Sequence, residues 1–267
     1  MTLEHEKWKL AVSGKQSLIR FIPPGDMSKR MSVTLFLRGP VTEGAEGSPE
    51  KAASLLFEDP VKTTFVAPLQ RHGTAVIDAV PIWSLPARPE ADSVFISRSG
   101  IWGSLRFADC FPVIVVSEKP FDWCLLVHSG FAGTCRGAVS KGLRKMLSTV
   151  GMARAEECHA WIGPGIGGCC YSRSLEDPST MRAMARLPGD SFRVENGRVY
   201  FDLRNAIITQ LYDMGIPINN ITDTGICTSC SHPLCFSYRK GDRNARSLLL
   251  ARLYSSYHKQ PFWWENV

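Results

Sequence analysis

The sequence has no apolar run long enough to cross a bilayer. Its longest such stretches, among them Phe111–Val116 and Cys124–Val127, fall far short of the ~20 residues that a spanning helix needs. The opening segment MTLEHEKWKLAV mixes acidic and basic residues and lacks the apolar core of a secretory signal. The expectation is therefore a soluble cytoplasmic protein with no membrane partner. Histidine is scarce, six in 267 residues, which counts against any site built from a large set of imidazoles. Internal repeats and low-complexity tracts are missing too, so solenoid and linker-like architectures are out. With 44% hydrophobic and 21% charged residues, disordered and collagen-like classes are excluded as well.

What is present starts with a mild cationic excess of +6. That balance suits anionic small molecules such as phosphates at least as well as nucleic acid, and no nucleic-acid partner is expected. The nine cysteines are many. In a long chain with no secretory signal they read as reduced thiols or metal ligands rather than a disulfide framework. Cys124 in DWCLLVH and Cys158 in ECHAWIG fit the role of small buried hydrophobes.

Strand-like runs fall at Trp8–Val12, Ser17–Ile22, Ser32–Leu37, Thr63–Ala67, Thr74–Val80, Phe111–Ser117, Trp123–His128, Cys158–Ile162, Ile218–Thr222 and Ser247–Leu253, the last of which could equally be helical. Helices are predicted over Lys51–Phe57, from Gly133 or Thr134 to about Thr149, and over Leu203–Met214 with Asp202 as cap and Gly215 as stop. The Gly/Glu/Ser-rich segment from Gly39 to Glu50 reads as a long loop. Strands and helices mix without strict alternation and no linker divides them. The expected fold is thus α/β (α+β), one domain over residues 1–267 with mixed sheets.

Three short segments carry chemistry-bearing residues at strand ends: Gln70-Arg71-His72-Gly73-Thr74, Ala108-Asp109-Cys110-Phe111-Pro112 and Leu126-Val127-His128-Ser129-Gly130. Two imidazoles and one thiolate, from His72, Cys110 and His128, would suit Zn²⁺ and leave a fourth position for water or substrate. No ligand-spacing rule selects these three. On residue chemistry alone they read as separate satisfied polar residues more readily than as a ligand set.

The segments QRHGTAV, ADCFPVIVV, VHSGFAGT, IGPGIGGCCY, FDLRNAIITQL, ICTSC and CFSYRK resemble, in that order, the laccase-domain family, also called YfiH-like or multicopper polyphenol oxidase. The likeness covers roughly residues 30 to 253. It implies layered α/β/β/α sheets and helices and a zinc site at His72, Cys110 and His128. It also implies an activity of purine nucleoside phosphorolysis or adenosine deamination, with purine nucleoside and phosphate as partners, or the older activity of copper-dependent phenol oxidation. An arginine near the family's N-terminus corresponds to Arg38, and Arg239 sits in Phe236-Ser237-Tyr238-Arg239; either could hold phosphate bidentately. Deamination also needs a proton shuttle, for which Asp109 is the acid nearest Cys110; strand alternation would turn it to the other face, and a carboxylate that supports a metal ligand or caps a turn is the competing reading. Where the family often carries Trp-Arg-Gly after the second metal histidine, this chain has Phe131-Ala132-Gly133, with Arg136 one helical turn further on.

Three functions compete on this basis. A zinc enzyme of purine nucleosides uses His72, Cys110 and His128. A copper polyphenol oxidase asks for about ten histidines, commonly in His-x-His pairs, and the chain has neither the number nor the pairs. A binding module that kept the metal site without catalysis is suggested by Ala132 and the altered loop after Arg38. Beyond these, Cys227, Cys230, His232 and Cys235 have ligand types that suit a second zinc, at spacings tighter than familiar modules. Cys169 and Cys170 read as two packed thiols beside Tyr171. The run Gly163–Gly168 lacks a P-loop's Gly-Lys-Ser/Thr and reads as a bend near the pocket. Pro261-Phe262-Trp263-Trp264 suggests docking onto the chain itself or onto a partner.

Overall fold

The computed structural model describes residues 4–81, 88–255 and 262–265. In chain order its first elements are β1 (Glu4–His5), β2 (Trp8–Ser13), β3 (Gln16–Phe21), α1 (Met27–Arg30), β4 (Met31–Phe36), α2 (Pro40–Ala45), α3 (Pro49–Leu56), β5 (Phe65–Val66) and β6 (Val76–Asp78). Next come β7 (Ser93–Ile96), β8 (Trp102–Phe107), β9 (Phe111–Ser117), β10 (Trp123–Ser129), α4 (Phe131–Cys135), α5 (Ala138–Val150) and β11 (His159–Ile162). The last are β12 (Ser172–Ser174), α6 (Pro178–Met184), β13 (Phe192–Glu195), β14 (Arg198–Phe201), α7 (Leu203–Asp213), β15 (Ile221–Asp223) and β16 (Ser247–Leu253).

These strands form a seven-stranded sheet, β1-β2-β3-β4-β16-β8-β5, and a six-stranded sheet, β15-β11-β9-β10-β7-β6. A small third sheet, β12-β14-β13, is antiparallel. Each large sheet is mainly antiparallel with one or two parallel edge pairs. Side-chain alternation explains the layering. In β9 and β10, Ile114, Val116, Cys124 and Leu126 meet Leu35, Leu105, Leu249 and Ala251 of the first sheet to form the middle core. The alternate residues Val113, Val115, Leu125 and Val127 pack against Val139, Leu143 and Met146 of α5 and Ala206, Ile207 and Leu211 of α7. On the far side Leu18, Phe36, Leu248 and Leu250 pack against Ala52, Ala53 and Leu56 of α3. The result is the expected α/β/β/α stack. Strands covered on both faces read as unbroken apolar runs, which is how β9 and β10 were legible.

Two expectations change. The segment after Gly39 is no loop: Pro40 opens the helix α2, Val41 N–H donates to Gln16 Oε1 at 3.0 Å, and Thr42 Oγ1 donates to the Leu37 carbonyl at 2.6 Å. The helix expected from residue 133 begins earlier and breaks at Gly137, whose φ of 73° only glycine adopts without strain. The aromatic tail docks onto the chain itself. Trp264 is fully buried against Phe36, Phe57, Trp102 and Phe262, while Pro261 lies outside the described residues. Cys124 and Cys158 are buried as expected.

Candidate metal centre

His72 lies in the turn between β5 and β6 with a left-handed φ of 57°, Cys110 directly precedes β9, and His128 is near the end of β10. β9 and β10 pair antiparallel with Ser129 opposite Phe111, so the register itself draws Cys110 toward His128. One ligand atom from each of His72, Cys110 and His128 lies within 4.8 Å of the other two. The two imidazoles meet edge to face at 4.9 Å between centroids.

The turn that carries His72 is held by Asp92, a residue the sequence did not single out. Its buried carboxylate accepts the backbone N–H of Arg71 (3.1 Å), His72 (2.9 Å) and Gly73 (2.6 Å), and lies 2.8 Å from His128 Nδ1. With Nδ1 donating to the carboxylate, Nε2 of His128 is left to offer its lone pair. Burial works to raise the Asp92 carboxyl, but His128 and the N–H groups of Gly73 and Arg71 hold it below its ordinary value. His128 is itself pushed down by burial, against the pull of Asp92, and so favours the neutral form that a metal ligand needs. Burial, reinforced by the Asp109 and Asp92 carboxylates, pushes the Cys110 thiol up to about 12. A thiol in that setting becomes a thiolate only when a cation stands beside it. Gly130 makes room for the group: a Cβ there would fall 2.5 Å from Cys110 Sγ and 3.1 Å from His72 Cδ2. The donor set, two nitrogens and a sulfur with one side open, fits a borderline divalent ion.

That side opens into a cleft of about 830 Å³. Its walls carry Arg106, Arg239, Arg243 and Arg246 together with Asp109, Tyr171 and Tyr238. Arg239 and Arg243 are exposed, and Arg243 sits over the Tyr238 ring at 4.2 Å. Asp109 has a left-handed φ of 78°, so strand alternation does not govern it. Its carboxylate accepts Thr228 Oγ1 at 2.7 Å and the Arg239 N–H at 2.8 Å, which is the turn-capping role. Arg38 is not brought to the cleft: its guanidinium binds both Asp242 oxygens at 2.9 Å and the Pro233 carbonyl at 2.5 Å, and lies over Phe236. Arg136 lies in a separate pocket with Arg186 and Asp213. Gly163 and Gly165 press against Pro112 and Phe111, where a Cβ would fall within 2.6 Å of the ring atoms, as a bend beside the site requires. Arg106, Arg243 and Arg246 went unnoticed in the sequence; the cationic run RKGDRNAR over 239–246 was the signal for the last two, while Arg106 stands alone in WGSLRF.

A mixed α/β fold with a two-histidine, one-cysteine group at the floor of a cationic cleft defines the class. The chain belongs to the family described as multi-copper polyphenol oxidoreductase laccase, which matches residues 50–251. It is 30% identical over 187 residues to a protein of Aquifex aeolicus named purine nucleoside phosphorylase, covering 70% of this chain and 82% of the relative. It is 29% identical over 185 residues to the adenosine deaminase RL5 of an unknown prokaryotic organism, covering 66% and 69%. The crystal structure of YlmD from Geobacillus stearothermophilus superposes with a TM-score of 0.77 at 22% identity, covering 92% of this chain and 99% of YlmD. Among the described residues no helix is long and apolar enough to cross a membrane.

Proposed function

We propose that this chain is a zinc-dependent enzyme of purine nucleosides, in the first place a phosphorylase. One observation carries this reading: the group of His72, Cys110 and His128 opens into a cleft whose walls are arginine and tyrosine. Zinc bound there would supply Lewis acidity at the open fourth position. The chain's own side chains do the rest. Arg239 and Arg243 hold the phosphate, whose charge a guanidinium pair matches in shape as well as sign. A phosphate oxygen attacks ribose C1′, the C–N bond breaks, and its electrons leave with the purine, which takes a proton. Tyr171 and Tyr238 offer ring faces for the base. Asp109 positions Arg239 through its backbone N–H. Arg38 acts one step back, because Asp242, which it binds, also accepts the Ser237 N–H of the loop that bears Arg239.

A second reading, hydrolytic deamination of adenosine, is favoured by the Asp109 carboxylate in the cleft wall, an acid of the kind that proton transfer needs. The copper phenol oxidase reading has no such support. Among the described residues only His72 and His128 come together in a group able to hold a metal, and His258 lies outside those residues. The test is a screen of adenosine, inosine and their analogues with and without phosphate. Ribose 1-phosphate and free base formed only with phosphate support phosphorolysis, and ammonia from adenosine supports deamination. Full turnover by metal-free Cys110→Ala would overturn both, and nucleoside binding with no product would leave a binding module.

A further inference from the structure

A second group of thiols lies outside the candidate centre. Cys169 and Cys170 follow the glycine-rich bend, and Cys227 and Cys230 occupy the turn after β15. The grouping of Cys227 and Cys230 with His232 and Cys235, whose ligand types the sequence raised as a candidate second metal cluster, does not form. Cys235 is buried in the middle core, and His232 faces Arg38 and Asp242. Instead all four sulfurs of Cys169, Cys170, Cys227 and Cys230 lie within 4.8 Å of one another. Cys230 Sγ is 3.6 Å from Cys169 Sγ and 3.4 Å from Cys170 Sγ. A tetrahedron of ~2.3 Å metal–sulfur bonds has edges of ~3.8 Å, so the four need shift only slightly to close on one ion.

Apolar packing does not account for this gathering, because Cys169 and Cys230 are exposed. Backbone donors converge on it as well. The Gly167 N–H donates to Cys227 Sγ at 3.2 Å, and the N–H groups of Cys230 and Ser229 also point at that sulfur. Sulfur held by the amides of its own Cys-x2-Cys turn is an arrangement that orients and stabilises a thiolate ligand. We infer that Cys169, Cys170, Cys227 and Cys230 form a second, structural metal site for a zinc-class divalent cation. Four thiolates complete the coordination shell and leave no open position, as in a structural rather than a catalytic centre. Binding exchanges thiol protons for the cation.

The site fastens the loop that leads to Tyr171 of the cleft wall to a turn that supports Asp109 from behind. Residue 165 bridges residue 227, the Thr228 N–H donates to the Gly165 carbonyl at 3.1 Å, and Thr228 Oγ1 reaches Asp109. Tyr171 follows Cys170 directly and lines the cleft. The inference does not depend on the nucleoside reading, since it concerns different ligands.

Cobalt substitution under anaerobic, reducing conditions tests it. Cys110→Ala removes the only sulfur of the first centre, so in that variant sulfur-to-cobalt charge-transfer bands can come only from the four-cysteine group. One equivalent of cobalt with intense near-ultraviolet bands is expected, and Cys169→Ser with Cys230→Ser in the same background should abolish them. Absence of those bands in Cys110→Ala overturns the inference. Should the serine variant fail to fold, differential alkylation of the wild-type chain decides. Zinc should protect these four cysteines and a chelator should expose them. Equal alkylation with and without zinc, or a disulfide among them, overturns the site.

Discussion

Asp92 accepts three backbone N–H groups of one turn and faces His128 from the same carboxylate, so it fixes both imidazoles of the centre. Asp92→Asn replaces an acceptor by a donor there, and loss of such an orienting partner costs about 10–100-fold in metal affinity. Competition with a calibrated chelator measures this, and unchanged affinity would mean that the ligands hold themselves. Gly130→Ala should lower metal content for a steric reason, since the new Cβ falls on Cys110 Sγ; elemental analysis of the purified variant reads it. The sequence showed the three ligands only through resemblance, because their partners are remote along the chain. Asp92 left no trace, as a lone aspartate before a strand has no spacing signal. At Asp242, burial works to raise the carboxyl, yet the Ser237 N–H and Arg38 hold it below the ordinary 3.8. A depressed value in the fold stabilises above the unfolded value and is lost as pH falls through the folded one. The stability gap between the wild type and Asp242→Asn should stay level from about pH 7 to 5 and close below about pH 4, as urea denaturation at each pH would show.

Among the elements, the short ones resisted the sequence. Helix α2 has six residues, too few for a helical period to repeat, and its start depends on a side chain from another element. Gln16 Nε2 donates to the Ser17 and Leu37 carbonyls at 2.9 Å while Oε1 accepts the Val41 N–H. Gln16→Ala leaves the Val41 N–H unpaired, while the Leu37 carbonyl keeps Thr42 Oγ1 and the Ser17 carbonyl keeps the Leu37 N–H. The loss should cost about 2 kcal/mol in chemical denaturation, and a change within error would mean that water replaces the amide. The long elements were legible because burial on two faces, or on one stripe of a helix, writes a pattern into the sequence. β9, β10, α7 and β16 fall within a residue or so of expectation. Strands β7 and β8 were missed, the first being four residues, Ser-Val-Phe-Ile, with no alternation.

At the scale of the whole molecule, the covering helices α3, α5 and α7 were legible from their own patterns, the layering followed from the family resemblance, and what the aromatic tail docks onto was left open. The outer face of the seven-stranded sheet is closed in part by the aromatic tail, with Trp264 stacked on Phe262 and edge-on to Phe36. Trp264→Ala should destabilise the fold by about 3–5 kcal/mol, read as a lower denaturation midpoint; a neutral result would show that the tail is dispensable to the sheet.

Strand β16 pairs with β4 on one side and β8 on the other, although among the described residues every other strand precedes it in the chain. All the residues that line the cleft, from Glu46 to Arg246, also precede it. A nascent polypeptide elongated through Arg246 therefore contains the complete set of cleft side chains and still has two long strands with unpaired edges. Such edges invite pairing with other chains until the last strand emerges to fill the gap. An interior strand of the sheet is thus made after every residue of the cleft, so a ribosome that stalls between Arg246 and Leu253 releases a chain prone to aggregate although its cleft side chains are complete.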